Sequence, residues 1–180
     1  MQSAAVNNPG KRAPSLVGKA AVFLLAFAAL QLAWDAVRGG TLERLVIHNG
    51  TVQPASALVN LLTPDVHAEA KGFAIYASGG GLNIQNGCEG MEALFLLLAA
   101  FAVAPIPRRS RWIGLLLGIP VVFVINQARI LVLFYAYRID HSWFDPLHSM
   151  VTPIVVVLLI ASYFYVWLAH GFVDSKHRLP

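Results

Sequence analysis

Cysteine occurs once in the 180 residues, at Cys88, and charged side chains make up only 12 % of them. A single thiol excludes any internal disulfide, so no covalent staple holds the fold. Soluble domains carry about 25 % charged residues. So little charge, beside 57 % hydrophobic residues, excludes an ordinary soluble domain and puts the chain in a bilayer. His48 and His67 have no metal-ligand spacing with each other or with a cysteine pair. They read as solvated loop histidines, and no metal or cofactor is implied. The lipid bilayer is the expected partner, and nucleic acid is not.

What is present is a set of apolar runs separated by short polar stretches. Residues 1–15 are small and polar, with Lys11 and Arg12, and read as a disordered cytoplasmic tail. Residues 16–37 form an Ala-, Leu- and Phe-rich run long enough to cross ~30 Å of hydrocarbon. A cleaved signal peptide is the competing reading, since Ala26-Phe27-Ala28 resembles a cleavage site; the length of the apolar core favours a retained helix. Further spans are expected over residues 90–107, 112–137 and 147–169, and a basic tail over 171–180. The expected class is therefore an all-α integral membrane protein with four transmembrane helices and one membrane domain over residues 16–170. Its only sizeable non-spanning region, residues 38–87, is expected to hold short amphipathic helices on the membrane surface. A β-hairpin should follow, because apolar alternation on both sides flanks Ser78-Gly79-Gly80-Gly81.

Charge placement sets the expected orientation. Lys11, Arg12 and Lys19, the cluster Arg108, Arg109 and Arg111, and the tail residues Lys176 and Arg178 share one side of a four-span chain. The opposite loops hold Glu43, Asp65, Glu69, Glu89, Asp140 and Asp145. The positive-inside rule then puts both termini in the cytoplasm and Cys88 outside.

Arg129 stands inside the third apolar run, where an arginine costs a few kcal/mol on insertion scales. It lies about 13 Å from Arg138 along a helix, too deep for easy snorkelling. Counting from the basic cluster places Arg129 at about 27 Å and Cys88 at about 30 Å above it. His148 enters the last run from the same outer side. Asn126 is a nearby partner for Arg129 and Thr152 one for His148, while Glu92 either pairs with Arg129 or bonds nearby hydroxyls or snorkels outward. A thiol, a guanidinium and an imidazole at one level suit nucleophilic acyl transfer. The thiolate attacks a peptide carbonyl, the cation holds the oxyanion, and the imidazole moves protons. A helix N-terminus and a cation are both expected to lower the Cys88 pKa.

These residues fall in three ordered motifs. They are Gly87-Cys88-Glu89-Gly90-Met91-Glu92-Ala93, Asn126-Gln127-Ala128-Arg129 with Phe134-Tyr135, and Phe144-Asp145-Pro146-Leu147-His148. Together they resemble the exosortase/archaeosortase family over residues 16–169, and the short organisation is most similar to the exosortase H type. The resemblance implies a transpeptidase of the bacterial cytoplasmic (inner) membrane. Its partners would be exported proteins bearing a C-terminal motif, a hydrophobic span and a basic tail. The family's catalytic residues map onto Cys88, Arg129 and His148. Two alternatives remain at this level. One is an ion-pathway component using Asn126, Gln127, Arg129 and Glu92 as a buried polar network; the other is a non-catalytic scaffold of an envelope assembly.

Overall fold

The computed structural model of the chain describes residues 15–84 and 87–176, with side chains as far as residue 170. The expected tail segments 1–14 and 177–180, and the last residue of the expected hairpin, Gln85, lie outside the described residues. The fold is mostly helical, with one small sheet.

Helix α1, Leu16–Ala36, begins where the Ser15 hydroxyl accepts the Gly18 N–H at 3.1 Å. It is apolar on every side, and only Trp34 among its residues is buried. The chain turns at Gly39, whose φ of 76° suits glycine, and the Gly39 N–H donates to the Glu43 carboxylate at 2.7 Å. Helix α2, Thr41–Arg44, leads through a wide π-type turn, Leu45–Val52, into α3, Gln53–Leu62. Val52, Ala55 and Val59 recur at helical spacing and are completely buried. These are the helices expected before the hairpin, and each presents a buried face to the rest of the protein.

Strands β1, Glu69–Lys71, β2, Ala74–Tyr76, and β3, Leu82–Asn83, form an antiparallel sheet in the order β1-β2-β3. The β2–β3 pair, with Ile75 opposite Leu82, is the expected hairpin. Strand β1 was not expected, because Glu69-Ala70-Lys71 offers no apolar alternation. Its ends are tied instead by a Glu69–Lys71 ion pair and by side-chain bonds from Asn60 to both backbone groups of Ala68, at 2.7 and 2.8 Å. His48 is not simply solvated either, since its Nδ1 lies 2.8 Å from the Gly72 carbonyl.

Helix α4, Met91–Val103, stops before Pro105. Helix α5, Arg108–Ile139, starts at the basic cluster rather than at Trp112. Arg111 donates to the Ala104 carbonyl at 2.9 Å, placing a cation where α4 ends and its dipole is negative. A short helical stretch, His141–Trp143, α6 (Phe144–Pro146) and a π-type turn, Leu147–Val151, then feed α7, Thr152–Lys176. Helix α7 thus runs past residue 169 into the segment expected to be a tail.

Among the described residues, three stretches are long and apolar enough to cross a membrane: Leu16–Ala36, Arg108–Ile139 and His141–His170. With 13 residues, α4 rises only about 20 Å. The expectation of four full-length spanning helices is therefore met in three, because Pro105 and Pro107 break the run that sequence alone extends to residue 107.

Two cores hold these parts together. One joins the segment from α2 through β3 to the second half of α5 through Ile47, Val52, Val59, Ile75, Ile84, Ile130, Leu133 and Phe134, and it includes Cys88. The other lies between α4, α5 and α7 around Leu97, Phe101, Val122, Val156 and Ile160. Small residues permit this close approach. A Cβ on Gly114 would stand 2.6 Å from Trp167 Nε1 and 2.7 Å from the Phe101 ring, and one on Gly118 would stand 2.6 Å from Leu97. The Tyr163 hydroxyl and Trp167 indole then donate to the Gly114 and Ser110 carbonyls at 2.6 and 3.2 Å. Gly114→Val should overpack this seam and cost about 1–3 kcal/mol. Thermal unfolding in detergent should show a lower Tm for this variant, while Leu116→Val, on an exposed face, should leave it nearly unchanged.

Candidate active site

Cys88 lies on the short connection between β3 and α4, two residues before Gly90, the N-cap of α4. Gly87 and Gly90 have φ of 91° and 84°, a left-handed conformation that glycine adopts without strain. A Cβ on Gly90 would also stand 2.7 Å from the Asn126 side chain, so α5 can approach only a bare backbone here.

That approach holds the segment in place. Asn126, buried on α5, donates through Nδ2 to the Cys88 carbonyl at 3.1 Å. Arg129, nearly one turn further on, donates through Nη1 to the Gly87 carbonyl at 2.9 Å and through Nε to the Thr152 hydroxyl of α7 at 3.1 Å. The Cys88 sulfur then lies 3.0 Å from Nε2 of His148. The imidazole is packed parallel to the Phe144 ring, with centroids 5.3 Å apart. The three residues expected to act together are thus brought together from three separate elements.

Their partners differ from those expected. Asn126 serves the Cys88 backbone rather than Arg129, and Thr152 serves Arg129 rather than His148. Glu92 does not pair with Arg129: the ion pairs among the described residues are Arg38–Asp35 and Lys71–Glu69. The Gly87 carbonyl takes the guanidinium instead, and Glu92 is exposed, in line with the outward alternative. Both side chains nevertheless line one cavity of about 130 Å³ beside the Cys88 segment. Asn126 completes its polar end, while Phe27, Leu96, Val156 and Ile160 line the rest from α1, α4 and α7. An engineered apolar cavity of about 150 Å³ admits benzene, so this one has room for a single large apolar side chain.

The transmembrane exosortase family model (Exosortase_EpsH) matches residues 13–165. The chain belongs to that family. No curated protein and no solved structure matches it. Exosortase membership suggests a membrane transpeptidase, and the contacts around Cys88 bear on how such chemistry would run in this exosortase.

The resting thiol is not activated in the expected way. Cys88 is only 6 % exposed, and its burial pushes the pKa above the ordinary thiol value. The Arg129 cation pulls it back down, and the Glu89 and Glu92 carboxylates add to the rise. Desolvation outweighs the cation, so a protonated sulfur stands against His148. One carboxylate, counted in the sequence only as an acid of the outer loops and a member of the first motif, is buried beside the thiol. Glu89, 7 % exposed, accepts from the Trp34 indole N–H at 3.1 Å and from the Gly87 N–H at 2.6 Å. Its position next to the cysteine was the only available signal, and its partner lies 55 residues away.

The raised pKa has a direct consequence. Alkylation of Cys88 by iodoacetamide in membranes should rise with pH to a midpoint above the ~8.5 of a free thiol. Arg129→Gln removes the one effect that lowers the pKa and should move the midpoint higher still. A wild-type midpoint below the free-thiol value would show a stable thiolate instead.

Proposed function

We propose that this chain is a membrane-embedded cysteine transpeptidase or protease that cleaves C-terminal sorting signals of exported proteins through a Cys88 thioester. The 3.0 Å contact between the Cys88 sulfur and His148 Nε2 carries this reading. A protonated thiol against an imidazole nitrogen is poised for general-base rather than ion-pair chemistry.

In the proposed reaction the Cys88 sulfur attacks the scissile carbonyl as its proton passes to His148 Nε2. The carbonyl π electrons move onto oxygen, where guanidinium N–H groups of Arg129 stabilise the oxyanion. Arg129 uses Nε and one Nη1 bond for Thr152 and Gly87, which leaves further N–H groups of its five for this role. The C–N bond breaks, the imidazolium protonates the departing amine, and the acyl group remains on sulfur. Water or an acceptor nucleophile then gives a proton to His148, attacks the thioester, and releases the thiol. Asn126 holds the nucleophile's backbone, and Glu92 stands at the cavity where substrate enters.

The substrates in this reading carry a C-terminal motif, a hydrophobic span and a basic tail. The enzyme resides in the bacterial cytoplasmic (inner) membrane, with its site on the external face and both termini inside. The placement of Arg108, Arg109 and Arg111 at the opposite end of α5 from Arg129 supports this orientation. Four crossings are retained if α4 counts as a short one. Residues 104–107 can add up to about 13 Å to its rise when extended. Helix α1 is kept in the working protein, since it lines the cavity through Phe27 and reaches the cysteine segment through Trp34.

Processing of a sorting-tail substrate in cells should cease in Cys88→Ala while the protein still accumulates in the membrane. Arg129→Lys keeps a cation without the planar fork and should lose about 10²–10³ in rate. His148→Ala should remain open to alkylation at high pH yet turn over little substrate. Full processing by Cys88→Ala would remove the proposed nucleophile.

A further inference from the structure

Glu89 is a buried carboxylate beside the thiol, and the proposed reaction assigns it no step. Both of its oxygens are engaged, one by Trp34 at the end of α1 and one by the Gly87 N–H. The other face of Gly87, its carbonyl, accepts from Arg129. A continuous path therefore runs from the α1 indole through the carboxylate and Gly87 to the guanidinium, and on to Thr152 of α7. The path spans α1, the cysteine segment, α5 and α7, and Cys88 is the next residue along the backbone. Burying a carboxylate is costly unless its oxygens are satisfied. Here the bonds that satisfy it also fix the peptide preceding the nucleophile.

We propose that Glu89, anchored by Trp34, is a positioning residue for catalysis: it locks the Gly87 peptide so that the Cys88 sulfur meets His148 while Arg129 keeps its aim. This rests on the acyl-transfer reading of the site. The carboxylate acts in two opposed ways. Its hydrogen bonds order the segment for turnover, and its charge disfavours the thiolate. The groups that set that balance are His148 in the turn before α7, Arg129 on α5, and Glu89 and Glu92 flanking the start of α4. Helix α1 contributes only the neutral indole of Trp34 at this point, because Asp35 is turned outward to pair with Arg38 at 3.1 Å.

The opposed effects give a test that a merely structural contact would not pass. Full-length wild type, Glu89→Gln and Trp34→Phe would be compared in membranes by two readouts. One is the pH profile of Cys88 alkylation by iodoacetamide; the other is processing of a sorting-tail substrate. Glu89→Gln keeps the size, but it puts an NH2 donor where one of the two carboxylate oxygens accepts, so the bond from Trp34 or the bond from Gly87 is lost. It should lower the alkylation midpoint, making the thiol more reactive near neutrality, and yet slow processing by about tenfold or more, as for loss of a hydrogen bond to a charged group. Trp34→Phe keeps the charge and the ring, so the midpoint should hold while processing falls. The double variant should process no worse than Glu89→Gln, because both changes break one contact. Wild-type processing by both single variants, or an unshifted midpoint in Glu89→Gln, would overturn the proposal. Should Glu89→Gln fail to accumulate, Trp34→Phe decides alone, and normal processing by it is the overturning result. The alkylation profile needs no substrate. If wild type processes no sorting-tail protein, the transpeptidase reading fails while the shifted midpoint still reports the carboxylate's contact.

Discussion

Two successive backbone carbonyls, those of Gly87 and Cys88, are held by side chains of one helix, Arg129 and Asn126 of α5. The rest of the site depends on this pair of bonds. Without them the segment before α4 would be a glycine-flanked loop with many accessible conformations, and fixing each residue costs about 1–2 kcal/mol. With them, the sulfur has one location, 3.0 Å from an imidazole delivered by a different helix. Charge-assisted bonds such as that from Arg129 are worth roughly 1.5–3 kcal/mol each, more than neutral ones, and they are made here on a helix that is itself packed at both ends.

The same contact accounts for an arginine in an apolar helix. A guanidinium within a span is tolerated when its donors are satisfied, and Gly87 and Thr152 satisfy two of them. The Arg129 side chain also lines the cavity beside the cysteine segment. Burial of Cys88 among Ile84, Ile130 and Phe134 has the opposite electrostatic effect, keeping the sulfur protonated until a base is offered. An oxidisable thiolate exposed to solvent would gain reactivity and lose selectivity. In the proposed reaction, a buried thiol against His148 gives up its proton only as the substrate carbonyl is attacked.

Much of this was legible in the residues. Cys88 is unique, Arg129 is costly where it stands, and His148 opens the last apolar run, so each is conspicuous against a background of Ala, Leu and Val. The spanning helices α1, α5 and α7 follow from uninterrupted apolar length. Other features depend on tertiary approach and leave no local trace. Asn126 and Thr152 each had a plausible neighbour in sequence, yet in space Asn126 donates to the Cys88 carbonyl and Thr152 accepts from Arg129, contacts that only the packing of α5 against the cysteine segment and α7 creates. Trp34 and Glu89 sit on elements joined only by the fold. The length of α4 was misjudged because a hydropathy run does not record that Pro105 and Pro107 end the helix at Val103. Strand β1 was invisible because its pairing comes from the backbone of β2 rather than from any apolar pattern.

The central claim is that Cys88 carries the acyl group during turnover. Mass spectrometry of the full-length protein, quenched in acid during reaction with a sorting-tail substrate, tests it directly. The expected result is a Cys88 peptide heavier by the N-terminal substrate fragment, with the adduct released by hydroxylamine as a thioester. An adduct on any other residue, or active turnover with Cys88 blocked by prior alkylation, would contradict it.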